Sequence, residues 1–137
     1  MPTQADFDAW VQLGERGLAG TLGIVPVEYS PGVMRLALDV DQSHLAPNGY
    51  LHGGCVVSVA DAACGYGCRM NLPEGVSGFT TVELKVNFLG TVTDGRLTAE
   101  ARLAHAGRST QVWDATVTSE SARSIALLRA TQILFYE

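Results

Sequence analysis

One stretch of the chain gathers residues that could do chemistry together. A loop over 46–51 delivers His52, and Gly53 and Gly54 follow at once. A mostly apolar helical run then continues to about Arg69, with one carboxylate, Asp61, inside it. A charge is expensive to bury unless it is paired, so an aspartate in an apolar helix needs a reason. The start of a helix carries unpaired N–H groups and the positive end of the helix dipole. Glycines there let a ligand approach the backbone closely, which suits the holding of a developing oxyanion. Asp61 is a candidate general base or nucleophile. His52 either hydrogen-bonds a carbonyl or caps the helix.

Geometry adds a constraint. Gly53 and Asp61 stand eight residues apart on one helix, about 12 Å along its axis. A carbonyl held at Gly53 is out of easy reach of Asp61 on the same helix. If both act on one group, two chains must share the site. A two-fold dimer with antiparallel helices would bring each Asp61 to the partner's Gly53.

The elements that must position this stretch read as sheet. Residues 4–18 form a short amphipathic helix with Phe7, Trp10, Val11 and Leu13 on an uneven apolar face. Residues 21–28 and 33–40 read as two strands joined at Ser30-Pro31-Gly32. A polar loop with His44 and Asn48 leads to the central helix over 53–71, which Pro73 closes. Four strand candidates follow, over 78–89, 96–105, 109–119 and 123–136. In the first, Val82, Leu84, Val86 and Phe88 alternate with Thr81, Glu83, Lys85 and Asn87. The short connections favour antiparallel hairpins. The expected architecture is α+β, an antiparallel six-stranded sheet wrapped around one long central helix.

Composition sets outer bounds. The chain has 137 residues, 47% hydrophobic, which predicts one globular domain over 1–137. Its net charge is −5, with a single lysine and eight arginines that never cluster in sequence, so nucleic acid is not an expected partner. No apolar run is long enough to cross a membrane, and the first residues lack the pattern of a signal peptide. A cytoplasmic location is the expectation. The cysteines, Cys55, Cys64 and Cys68, are odd in number and lie in the central segment. They read as small packing residues rather than a disulfide framework or metal site. No metal is expected.

The segment Asn48-Gly49-Tyr50-Leu51-His52-Gly53-Gly54, with Asp61 eight residues after the first glycine, resembles the hotdog-fold acyl-CoA thioesterases. It is most similar to their phenylacetate-pathway and helix-carboxylate 4-hydroxybenzoyl-CoA branches. Two later blocks extend the likeness, Thr80 to Leu89 and Gly107 to Trp113, so that it covers roughly 36–136. The resemblance implies hydrolysis of an acyl-CoA thioester with no cofactor beyond the CoA of the substrate. It implies that the Gly53 N–H polarises the thioester carbonyl and that His52 orients it. Asp61 then acts as nucleophile or as the base that activates water, with Thr81 near it. Gly54, Tyr50, Val57 and Arg108 are the candidate substrate contacts; Arg108 would meet CoA phosphate or else be a solvated turn residue. One position departs from the pattern. Many relatives carry Asn or Gln six residues before the histidine, where this chain has Ala46, and Asn48 is the candidate replacement. The resemblance also implies a homodimer at least, with a dimer of dimers known among relatives. Two rival readings are a hotdog dehydratase or hydratase and a non-catalytic acyl-CoA sensor. The first lacks the spacing from His-Gly-Gly to Asp. The second usually needs a DNA-binding segment, and the residues before Thr21 are too few and too acidic to supply it.

Overall fold

The structure, a computed structural model, describes residues 2–137. Thr3 opens helix α1 (Gln4–Glu15) through a reciprocal capping box with Asp6. A second, one-turn helix α2 (Leu18–Leu22) ends at Gly23, whose left-handed φ of 82° stops it. Strands β1 (Val25–Ser30) and β2 (Val33–Asp39) form a hairpin. A loop then leads into α3 (Gly53–Arg69). Strands β3 (Val76–Phe88), β4 (Arg96–Ala106), β5 (Thr110–Thr118) and β6 (Ser124–Tyr136) complete the chain. All neighbours in the sheet are antiparallel, in the order β1-β2-β4-β5-β6-β3. This is the hotdog arrangement expected from the sequence, a six-stranded sheet closed over one long helix.

The sheet closes on α3 because the buried stripe of that helix is made of small side chains. Cys55, Val56, Val59, Ala60, Ala63, Cys64, Gly67 and Cys68 all face the core. Their pairs recur every four residues, which keeps them on one side of the helix. Gly67 is required by contact. A Cβ there would lie 2.7 Å from Cζ3 of Trp113, a fully buried ring on β5. Trp113 in turn donates to Gln111 Oε1 at 2.9 Å, and Gln111 Nε2 donates to the carbonyl of Asn71 at 2.8 Å. Asn71 Nδ2 donates to Gly67 O at 2.8 Å, and the Tyr29 hydroxyl donates to Met70 O at 3.2 Å. Gly67 O of α3 and the carbonyls of Met70 and Asn71 just past its end thus accept from side chains of the sheet and the following turn.

Three sequence expectations need correction. The single helix over 4–18 is broken by Gly17 into α1 and α2. The strand placed over 21–28 starts only at Val25, because Thr21 and Leu22 belong to α2. The alternation read through β3 is interrupted by a bulge: Thr81 pairs with Gln132 but Glu83 pairs with Thr131, leaving Val82 as the extra residue. Before the bulge Phe79 and Thr81 face the helix side, opposite Leu134 and Gln132; after it Leu84, Val86 and Phe88 do. Thr81 is therefore not on the outer face with Glu83 and Lys85. Among the described residues no helix is long and apolar enough to cross a membrane.

The Gly67–Trp113 contact makes a direct prediction. Gly67→Ala gains up to about 1 kcal/mol of helix propensity. It loses about 1–3 kcal/mol to overpacking against a ring that has nowhere to move. Urea denaturation should show a lower midpoint for Gly67→Ala than for wild type. An equal or higher midpoint would show that the helix does not press on Trp113.

Candidate active site

His52 is the N-cap of α3, and it consumes most of the donors that a helix start exposes. Its carbonyl accepts from Cys55 N at 3.0 Å and from Val56 N at 3.3 Å. Its ring Nδ1 accepts from Gly54 N at 2.8 Å. Of the four N–H groups without an intrahelical partner, only that of Gly53 has no acceptor among the described residues. Since Nδ1 accepts, the neutral imidazole carries its proton on Nε2, and the ring is exposed. Two donors, Gly53 N–H and His52 Nε2–H, are left at the positive end of the helix.

Gly53 lines a cavity of about 350 Å³ together with Ala46, Asn48, Tyr50, Val56 and Phe88. The Phe88 ring lies over the glycine, 3.2 Å from where a Cβ would stand. The loop that delivers these residues is a tight turn. Gly49 adopts a φ of 86°, its N–H donates to Ala46 O at 2.9 Å, and Asn48 Oδ1 accepts from Tyr50 N at 3.1 Å. His44, a buried residue of the same loop, bridges Asp41 N at Nδ1 (2.9 Å) and Leu22 O at Nε2 (2.6 Å), tying the loop to α2. The site side of α3 is thereby fixed from both the helix and the loop.

Asp61 lies two turns along α3 from Gly53 and does not line that cavity. It is half-buried, and its Oδ1 is buried with no hydrogen-bond partner among the described residues. Burial alone pushes its carboxyl above the usual range, with no neighbouring charge to offset it. Thr81 lines a different groove, with Trp10, Arg69 and Phe79, and donates to Gln132 Oε1 at 2.7 Å. Val57 is half-buried against the core. Arg108 sits exposed in the β4–β5 turn, where its carbonyl accepts from the Tyr136 hydroxyl at 2.6 Å; it lines neither groove. The structure therefore brings Asn48, Tyr50, His52, Gly53 and Gly54 together at one end of α3 and leaves Asp61 and Thr81 apart from them.

Sequence reasoning missed Phe88 over Gly53, and it missed Arg69 and Trp10 beside Thr81. It also missed Gln132, which is fully buried with an unpaired Nε2. The signal for Gln132 was available: it falls in phase with the buried Leu128, Ala130 and Leu134 of β6. The three cysteines are packing groups, as expected. Burial pushes their thiols up, Cys68 to about 12, so none is a ready thiolate. Among the described residues no three His, Cys, Asp or Glu side chains gather to hold a metal ion.

The sequence profile of the Thioesterase superfamily matches residues 48–126, from the loop before His52 into β6. The chain belongs to the thioesterase superfamily. Individual members of the superfamily agree with the match. The chain is 34% identical over 115 residues to the 1,4-dihydroxy-2-naphthoyl-CoA hydrolase of Listeria monocytogenes, covering 84% of this chain and 93% of that one. It is 30% identical over 112 residues to the acyl-coenzyme A thioesterase PaaI of Escherichia coli, covering 81% and 77%. A mutant of the thioesterase PA1618 from Pseudomonas aeruginosa shares its fold with a TM-score of 0.89 at 25% identity, over 100% of this chain and 96% of that one. Thioester hydrolysis is the chemistry of this superfamily member, and its fold is the one these thioesterases share.

Burial of Asp61 has a consequence for stability. Its folded pKa lies above the ordinary value of 3.8, so between those two values the folded state holds more protons than the unfolded state. Stability falls as pH rises through that window, and above it the full penalty of a buried charge is present. Asp61→Asn removes the penalty. The variant should melt higher than wild type at pH 8, and the gap should close below pH 3.8, where both states of Asp61 are protonated. A melting difference that is constant with pH would contradict the burial argument.

Proposed function

We propose that the chain hydrolyses an acyl-CoA thioester to the free acid and CoA, at a site that two copies of the chain share. One observation carries the reading: His52 accepts from Gly54 N and Cys55 N, its own N–H donates to His44 O, and of the four free N–H groups at the start of α3 that of Gly53 is left. A lone, unpaired backbone N–H at the positive end of a helix, in a cavity, suits a developing oxyanion. The Nε2–H of His52 supplies a second donor for the same oxygen.

In this reading the thioester oxygen lies on Gly53 and the carbonyl carbon faces the Asp61 carboxylate of the partner subunit. As a base, Asp61 takes a proton from water while the water oxygen bonds to the carbonyl carbon. The tetrahedral intermediate then collapses, the C–S bond breaks, and the thiolate of CoA takes up the proton. As a nucleophile, Asp61 attacks the carbonyl carbon and expels the CoA thiolate to give a mixed anhydride; water then opens the anhydride to the free acid and the restored carboxylate, and its proton goes to the thiolate. A desolvated carboxylate is the stronger base and the stronger nucleophile, so its raised pKa serves either route.

The edge of the sheet supports a second copy. Strand β3 is 13 residues long and, among the described residues, pairs with β6 alone, which leaves its other edge open. Val82 (57%), Leu84 (40%) and Phe88 (55%) are exposed on it. A long apolar edge of this kind pairs readily with another strand. Pairing two copies through β3 would set their α3 helices side by side. That would cover Phe88 and close the distance between Gly53 of one chain and Asp61 of the other. Pairing of such dimers into tetramers is compatible with this arrangement.

Asp61→Asn keeps the shape of the side chain and removes its basic oxygen. Its kcat on an acyl-CoA substrate should fall by at least about 10²-fold, the scale of a positioned base. A folded variant with near-normal turnover would remove Asp61 from the chemistry.

A further inference from the structure

Away from the thioester donors, the molecule carries a second pair of unused donors. Trp10 of α1 is wedged between Tyr66 of α3 and Phe79 of β3, with ring centroids 6.4 and 6.2 Å away. Its indole N–H is buried with no acceptor among the described residues. A buried donor left unpaired is costly and calls for an explanation. The Arg69 guanidinium stands 5.5 Å from the centroid of the same Trp10 ring, an attractive stacking of cation on aromatic face. Arg69 makes no ion pair among the described residues. The acid that feels its charge, Asp6, is already held by Thr3 in the capping box. Trp10 and Arg69 line an open groove of about 600 Å³ with Leu72, Phe79, Thr80 and Thr81.

The groove opens at Arg69, on the side of α3 that also carries Asp61. Asp61, Gly65 and Arg69 recur every four residues, which places them along one side of the helix. A Cβ added at Gly65 would meet nothing within 4 Å, so the path between the two charged residues is bare. The β3 bulge turns Thr81 and Phe79 to face this path from the sheet. Asp61 and Arg69 are eight residues apart, about 12 Å along the axis. Allowing for the length of the arginine, that separation suits one substituted aromatic ring.

We infer that this groove takes the far end of the acyl group and selects acyl groups that end in an anionic oxygen, with Arg69 and the Trp10 N–H as the recognising donors. The inference rests on the acyl-CoA reading above and names its substrate class. Leu72 and Phe79 hold the apolar body of the acyl group. The planar fork of Arg69 fits a carboxylate, and an anionic oxygen that reaches the shielded indole N–H supplies the acceptor that donor lacks. A purely apolar acyl group of the same length would strip water from Arg69 and give nothing back. Discrimination of this kind is large, because a mismatched ligand leaves polar groups unpaired.

The test compares 4-carboxybenzoyl-CoA with 4-methylbenzoyl-CoA, which differ only at the far end of the ring. The wild-type protein should favour the carboxylate in kcat/KM by at least about 10-fold. Arg69→Met should lower that ratio by about 10-fold or more, and Trp10→Phe, which keeps a ring but loses the N–H, should lower it severalfold. Arg69 is partly exposed, so its substitution leaves the core intact, and circular dichroism checks both variants. A wild-type preference for 4-methylbenzoyl-CoA, or a ratio unchanged in Arg69→Met, would overturn the groove assignment while leaving thioester hydrolysis in place. Failure of the wild-type protein to hydrolyse any acyl-CoA would instead overturn the proposed function, and this inference with it.

Discussion

The whole arrangement depends on a helix that the sheet can approach closely. Small side chains line the buried side of α3, and at Gly67 nothing larger than hydrogen fits beneath Trp113. That closeness lets one sheet bury most of one helix in a chain of 137 residues. At and just past the C-terminal end of α3, side chains of Asn71, Gln111 and Tyr29 donate to the carbonyls of Gly67, Asn71 and Met70. At its N-terminal end the backbone donors are answered by His52 and His44, except for that of Gly53, a residue that lines a cavity.

The same helix separates the chemical groups. Asp61 stands two turns along α3 from Gly53 and does not line the cavity that Gly53 lines. Asp61 keeps a raised pKa and an unpaired oxygen in isolation. Polar groups left in this state are usually part of a site rather than of the core. The exposed apolar residues of β3 are incomplete in the same sense. One event, pairing of two copies along β3, would answer the edge strand, the bare side of α3 and the stranded carboxylate together. Economy is what makes the shared site the preferred account.

Much of this was legible in the sequence, and the reasons are physical. The central helix announced itself through a run of small apolar residues and a proline stop. β4, β5 and β6 announced themselves as strand candidates separated by short connections. The family likeness was carried by His52, Gly53 and Asp61 at fixed spacing. What stayed hidden depended on contacts between distant segments. Nothing local distinguishes Gly17 and Gly23 as helix breakers from glycines of a loop, so α2 was merged with its neighbours. A bulge at Val82 leaves no mark in composition, because valine on either face reads as strand. Its effect is nonetheless decisive, since it turns Thr81 inward. Trp10 read as part of the apolar face of an amphipathic helix, and Arg69 only as the end of the central helical run. Their meeting across the helix–strand seam is a tertiary fact.

The shared site is tested most directly by mixing two inactive variants. Asp61→Asn removes the carboxylate. Gly53→Pro removes the free N–H, and it suits a first helical position whose preceding residue is already extended, as His52 is with ψ 132°. A Cβ at position 53 comes nearest the Phe88 side chain, which is exposed and can move aside. Each variant alone should be nearly inactive. After chain exchange, confirmed by native mass spectrometry, about half the dimers are mixed, and each has one intact site of two. Activity should recover to about a quarter of wild type if a two-fold dimer shares its sites. Confirmed mixed dimers with no recovered hydrolysis would show that each chain holds its own complete site, and would contradict the pairing of Gly53 with Asp61 across the interface.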